Sequence, residues 1–265
     1  MKSNEEELIS LKELAKKQLE SYEFEEAYQT YGRIIEIDPE NALAYLMCAK
    51  LRETLGDKHG AAKYHKNAKR ILNTYIKDNP DNVSNYIRRG ASYQDTGDFE
   101  HAIDDYSQAL LLDPTNLFAL YNRATCYKMT KECDKAIDDL SKVIKIEPDH
   151  VDAIIERGNL YLSKGGISDD LALKDFNKVI ELAPYRISGW QGRALIYINN
   201  KEDDLATRDL LTALELKHIP KNSYKNLLKL TISHCKTQYQ KYKLLGDTTK
   251  ILEYLKIISD LEKRG

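Results

Sequence analysis

Two consecutive stretches decide how this chain is built: VSNYIRRGASYQDTGDFEHAIDDYSQALLLDP at 83–114 and LFALYNRATCYKMTKECDKAIDDLSKVIKIEP at 117–148. Their closing prolines, Pro114 and Pro148, stand 34 residues apart, and between them the same residue types return at the same places. Repetition at a fixed interval of about 20–50 residues marks a stacked architecture, in which one unit cannot bury its apolar face alone and leans on its neighbours.

Carried outward, the interval meets Pro39, Pro80, Pro114, Pro148 and Pro184, with Pro220 two places late. Six units result, at 8–41, 42–82, 83–116, 117–150, 151–186 and 187–220, followed by a carboxyl-terminal cap at 221–265. Place eight of each unit is small (Ala15, Ala49, Gly90, Ala124, Gly158, Ala194), and place twenty is always alanine (Ala27, Ala61, Ala102, Ala136, Ala172, Ala206). Tyr93, Tyr127, Tyr161 and Tyr197 share place eleven. Within the third unit, Tyr86, Gly90 and Tyr93, then Ala102, Tyr106 and Ala109, recur at three and four, the spacing of one helix face. Asp95, Gly97 and Asp98 break the pattern and offer a cap for a second helix, and proline closes each unit because it has no amide hydrogen. Small residues at places eight and twenty let the two helices of a pair approach closely.

These residues at these intervals resemble the tetratricopeptide repeat, over about residues 8–220 and most clearly in the third and fourth units. The resemblance implies an all-α fold, an α-α superhelix of antiparallel helix pairs. It also implies a protein-interaction scaffold whose first helices line a concave groove. Placed residue by residue, that groove is expected to hold Lys12, Lys16, Leu46 and Lys50, then Ile87, Arg88, Phe118, Tyr121 and Asn122, then Ile155, Glu156, Asn159, Gln191 and Leu195. Aromatic and aliphatic anchors beside amides suit a peptide segment, with pockets giving affinity and amides meeting the peptide backbone. Phe118 has a second reading, packed between repeats. One subset of the family grips the carboxyl-terminal tail of Hsp70 or Hsp90 with a two-carboxylate clamp. Here Ile87 and Ala91 stand where Lys and Asn are needed, and Asp152 and Glu156 replace cations, so that partner is not expected.

Two units depart from the interval. The second has seven extra residues after Ala68, about two helical turns, which carry Tyr75 and Ile76 past the regular stack; packing back on the same unit is favoured over docking a partner. The fifth has two more, around Gly165 and Gly166, which read as a longer turn, since no phosphate-loop lysine follows. Beyond Pro220, 223–245 and 247–263 each read as a helix covering the last repeat.

The composition, 42% hydrophobic and 31% charged, is that of a folded protein with much surface. The longest apolar run, from Ala42 to Ala49, is far short of the roughly 20 residues of a membrane span, and the acidic start is not that of a secretory signal, so a cytoplasmic monomer is expected. The net charge of −2 hides a basic end: from Lys217 onward there are eleven Lys and Arg against four Asp and Glu. An alternative role is therefore binding of nucleic acid or an acidic surface there, and another is membership of a larger enzyme assembly as a non-catalytic subunit.

No catalytic constellation, cofactor or metal is expected. Cys48, Cys126, Cys133 and Cys235 form no CxxC pair, and His59, His65, His101, His150, His218 and His234 lack ligand spacing along the chain. The acidic pairs Asp104/Asp105 and Asp138/Asp139 recur once per unit and cannot converge on one ion. Instead, Arg89, Arg123, Arg157 and Arg193 at place seven accompany Asp105, Asp139, Asp175 and Asp209 at place twenty-three, while the first two units lack both. An ion pair between the two helices of units three to six is predicted.

Overall fold

The computed structural model describes residues 2–166, 168–217 and 219–264, with side chains from Asn4 onward; Ile167 and His218 lie outside the described residues. The fold is all-α, of the helix-pair superhelix class. The pairs are α1 (Lys2–Glu20) with α2 (Phe24–Ile37), α3 (Ala42–Thr54) with α4 (Lys58–Asp78), and α5 (Val83–Asp95) with α6 (Phe99–Leu112). They continue as α7 (Leu117–Met129) with α8 (Cys133–Ile146), α9 (Val151–Lys164) with α10 (Ser168–Leu182), and α11 (Ile187–Asn199) with α12 (Asp203–Leu214). Two further helices, α13 (Lys221–Leu245) and α14 (Thr248–Glu262), follow. Two compact units divide within α8, after Asp139.

Local chemistry sets the helix ends. Asn41, Asp57, Asp98, Asn116 and Asp247 each accept a backbone N–H three residues on, as N-cap side chains do. Between the helices of a pair the turn needs one left-handed residue at place fifteen. Gly56, Gly97 and Gly165 supply it at φ +88°, +79° and +66°; Tyr22, Lys131 and Lys201 adopt it without being glycine, at 60°, 65° and 63°. In five of these turns the next N–H reaches back to place eleven, from Glu23 to Gln18, Asp57 to Arg52, Asp98 to Tyr93, Glu132 to Tyr127 and Glu202 to Tyr197, at 2.8–2.9 Å. That closure satisfies a carbonyl the helix end leaves open.

In the first unit, α1 packs on α2, α3 on α4 and α5 on α6, while α2 meets α3, α4 meets α5 and α6 meets α7. The small residues mark the closest approaches: the alanines at place twenty are buried, and a Cβ added to Gly90 would stand 3.1 Å from the Tyr106 ring. The extension of α4 turns inward. Ile71 and Leu72 are buried with Ala42, Tyr75 packs beside them, and its hydroxyl donates to the Glu40 carbonyl at 2.5 Å.

In the second unit, α9 packs on α10, α11 on α12 and α13 on α14, with α10 meeting α11 and α12 meeting α13. Phe176 is fully buried with Ala172 and Ile196. The last two helices bury Leu227, Cys235, Tyr254, Ile258 and Leu261 against Leu210 and Leu214.

All four arginines at place seven pair with their aspartates through two bonds. For Arg89 and Asp105 they measure 2.9 and 2.6 Å, for Arg123 and Asp139 2.7 and 2.9 Å, for Arg157 and Asp175 2.9 and 2.7 Å, and for Arg193 and Asp209 2.6 and 3.0 Å. The aspartates are buried and the arginines half-buried. Each arginine also donates to a side chain sixteen residues earlier, on the preceding repeat's second helix: Asn73, Ser107, Ser141 and Asn177. One guanidinium thus joins three helices. Its bond to Asp105 raises the already high pKa of Arg89, which fixes the charged form.

Candidate peptide-binding surface

Those polar groups hold helices together, and the residues expected for recognition lie on the first helix of each pair. In the first unit α5 packs against α7, so side chains on the two helices share one surface. Phe118 opens it, 54% exposed at the start of α7. Tyr121 and Asn122 are half-buried one turn on, and the Asn122 amide donates to the Phe118 carbonyl at 2.8 Å, leaving its oxygen as an acceptor. On α5, Ile87 is half-buried and Arg88 exposed. The arrangement is an apolar platform with a cation and an amide at its edge.

The remaining first-unit candidates have other surroundings. Lys12 and Lys16 are exposed on α1, with Lys16 3.9 Å from Glu20 on the same helix. Leu46 packs partly into the cluster under the α4 extension. Lys50 is exposed, 3.7 Å from Glu53.

In the second unit α9 lies against α11. Glu156 is half-buried and Asn159 exposed, and Gln191 and Leu195 are half-buried on α11. Ile155 corrects an expectation. It is only 6% exposed, in a cluster with Ile154 and with Val179 and Leu182 of α10, because an aliphatic side chain at place five of this repeat packs into the interior between helices. It is a core residue and not an anchor for a partner.

One feature the sequence did not signal is a cavity of about 790 Å³ between the α10–α11 turn and the start of α13, lined by Tyr185, Ile187, Gln191, Leu216, Ile219 and Ser223, among others. Tyr185 stands 68% exposed at its mouth. The only tryptophan, Trp190, ties the turn by donating its indole N–H to the Pro184 carbonyl at 2.8 Å. Gln191 is the one sequence candidate on its wall. Pro184 and Pro220 were visible only as repeat boundaries, and nothing in that role pointed to a cavity.

The thiols and the basic end offer less. Burial pushes the Cys48 and Cys126 thiols up to about 12 and that of Cys235 to about 11, so these are poor nucleophiles at neutral pH. Among the cap lysines, Lys236, Lys241, Lys250 and Lys263 bond Glu262, Asp203, Asp204 and Asp260 at 2.7, 2.5, 2.9 and 3.5 Å, which pairs four of the eleven cations from Lys217 onward. Among the described residues, no helix is long and apolar enough to cross a membrane.

The tetratricopeptide repeat family profile matches residues 85–116 and again 118–150. No curated protein matches the sequence. Among solved structures, MamA is 28% identical with a TM-score of 0.56, over 64% of this chain and 94% of that one. The C-terminal part of a TPR repeat-containing protein from Cytophaga hutchinsonii is 19% identical with a TM-score of 0.67, over 96% of both chains. YrrB, described as a TPR protein with an unusual peptide-binding site, is 19% identical with a TM-score of 0.51, over 71% of this chain and 92% of that one.

Proposed function

The chain is a tetratricopeptide-repeat protein, and from that premise we propose that it is a non-catalytic cytoplasmic scaffold that holds a peptide segment of a partner protein on its first helices. The observation that carries the reading is Phe118. An aromatic ring 54% exposed, on a helix face shared with Tyr121, Asn122, Ile87 and Arg88, is costly to leave in water and suited to an apolar side chain of a ligand. Asn122 adds an amide oxygen for a peptide N–H, and Arg88 favours a ligand with a carboxylate nearby. Within the same compact unit Lys12, Lys16 and Lys50 add cations on α1 and α3; in the second unit, taken by itself, Glu156, Asn159 and Gln191 offer polar groups on α9 and α11. YrrB shows that this fold serves peptide binding in another protein.

Affinity capture from native cells with the intact chain and with a Tyr121→Ala, Asn122→Ala variant tests the reading. The variant is expected to lose the specific partners; retention of every one of them defeats it. A salt titration of the captured complex separates it from binding at the lysine-rich cap. An apolar anchor tolerates moderate salt, whereas phosphate contacts weaken steeply with ionic strength.

A further inference from the structure

His65 is out of place. At place twenty-four the other repeats put Tyr31, Tyr106, Leu140, Phe176 and Leu210, core residues, four of which are at most 2% exposed. The second repeat puts an imidazole there, 2% exposed. Its neighbour Ser92, fully buried, likewise stands where later repeats have Cys126, Leu160 and Ile196. A polar pair in an apolar layer lowers stability unless its hydrogen bonds are met.

The bonds define the ring. The Ser92 hydroxyl oxygen lies 2.9 Å from Nδ1 and 3.5 Å from the His65 carbonyl, so it is the partner of Nδ1. With Nδ1 taken by Ser92, Nε2 is the nitrogen turned toward the carboxylates, and it faces Glu53 Oε1 at 3.2 Å. Asp95 brings a second carboxylate, so that one donor atom from each of the three side chains lies within 4.8 Å of the others. Lys50, 3.7 Å from Glu53 Oε2, and Lys58, on the wall of the cavity these groups line, are the cations nearby.

We propose that Glu53, His65 and Asp95 form a site for a divalent transition-metal ion, zinc by its donor set. The imidazole nitrogen disfavours calcium and magnesium, which take oxygen ligands. Two ligands at 2.0–2.1 Å from a tetrahedral zinc lie about 3.3 Å apart, close to the 3.2 Å between Nε2 and Oε1. Asp95 closes from solvent, and the cavity, about 470 Å³ and open to water, leaves a fourth position for a water molecule. Ser92 orients the ring from behind, as outer partners of ligating histidines do. Because the ligands come from α3, α4 and α5, the ion would fasten the second repeat to the third. The absence of ligand spacing along the chain concealed it: the three residues are 12 and 30 positions apart.

The test is calorimetric titration of the full chain with zinc chloride at neutral pH in the presence of excess magnesium, alongside thermal melting. One equivalent is expected to bind and raise Tm, and Asp95→Asn, at an exposed position, is expected to weaken binding at least tenfold and abolish the shift. Glu53→Gln repeats the comparison from a second ligand should Asp95→Asn alter the helical circular dichroism. Asp98→Asn, which touches the separate surface pair with His101, and Cys133→Ser are expected to bind as the parent does. No saturable binding by the parent, equal binding by Asp95→Asn and Glu53→Gln, or loss on either control overturns the site and leaves His65 held by its hydrogen bonds to Ser92 and Glu53 alone.

Discussion

The third to sixth repeats and the first two solve the same problem differently. In the former, place twenty-three is a buried aspartate held by two bonds from an arginine that also reaches the preceding helix. In the first repeat, Thr30 donates to Gln18 at 2.8 Å; in the second, Tyr64 shares a 2.7 Å bond with Tyr28, whose ring carries the Arg52 guanidinium 4.2 Å from its centre. A planar fork against a carboxylate fixes distance and rotation together, so it repeats with little variation. Neutral hydroxyl and amide pairs allow drift. The irregular repeats are accordingly where the lengthened helix and the His65 cluster are found.

Breaking one fork gives the largest expected effect. Asp139→Ala strands the half-buried Arg123 and is expected to cost about 3–5 kcal/mol in urea unfolding, whereas Thr30→Ala in the first repeat is expected to cost about 1 kcal/mol. The double variant Arg123→Ala, Asp139→Ala should cost less than the two single losses combined. Additive losses would show that the two groups do not stabilise each other, and similar costs for Asp139→Ala and Thr30→Ala would erase the contrast between the regions.

Packing distinguishes the same regions. A Cβ on Gly192 would stand 2.3 Å from the buried Phe176 ring, so Gly192→Ala is expected to cost about 1–3 kcal/mol. Nothing lies within 4 Å of the same atom on Gly32 in α2, where Gly32→Ala is expected to gain about 0.5–1 kcal/mol from helix propensity. A gain at both sites in thermal melts would mean that Phe176 gives way freely and the later repeats are no more tightly packed.

Much of this was legible in the sequence for a physical reason: a stacked repeat writes each structural need several times. Prolines, place-twenty alanines and the coincidence of Arg with Asp are needs shared by most copies. The arginine's third bond was hidden because Asn73, Ser107, Ser141 and Asn177 differ in type and belong to the repeat before. Ile155 was misplaced because a family's groove position says where a Cα lies, and the aliphatic side chain there found Val179 and Leu182. His65 was visible in principle, as one polar letter in a column of tyrosine, leucine and phenylalanine; its partners Glu53 and Asp95 came together only through folding.

The inter-helix turn supplies a smaller test. Lys131 and Tyr22 hold left-handed φ values of 65° and 60° where other copies have glycine. A side chain there costs about 1–2 kcal/mol, part of which glycine loses again through the freedom of its unfolded chain, so Lys131→Gly and Tyr22→Gly are each expected to gain about 0.5–1 kcal/mol. This turn is common to both regions, and unequal gains in matched melts would extend the contrast from the helix contacts to the turns.

The smallest expected change in stability carries most about function. Phe176 and Phe118 are the same residue type, one fully buried and the other 54% exposed. Phe176→Ala removes a core ring and is expected to cost about 3–5 kcal/mol, whereas Phe118→Ala should stay within about 0.5 kcal/mol of the parent. If Phe118 instead packs between repeats, its removal opens a cavity and the unfolding midpoint falls. If it is an anchor, the midpoint holds and the loss appears only in partner capture. Measuring both on one variant decides between packing and recognition, because a side chain that serves the fold cannot be silent in the melt.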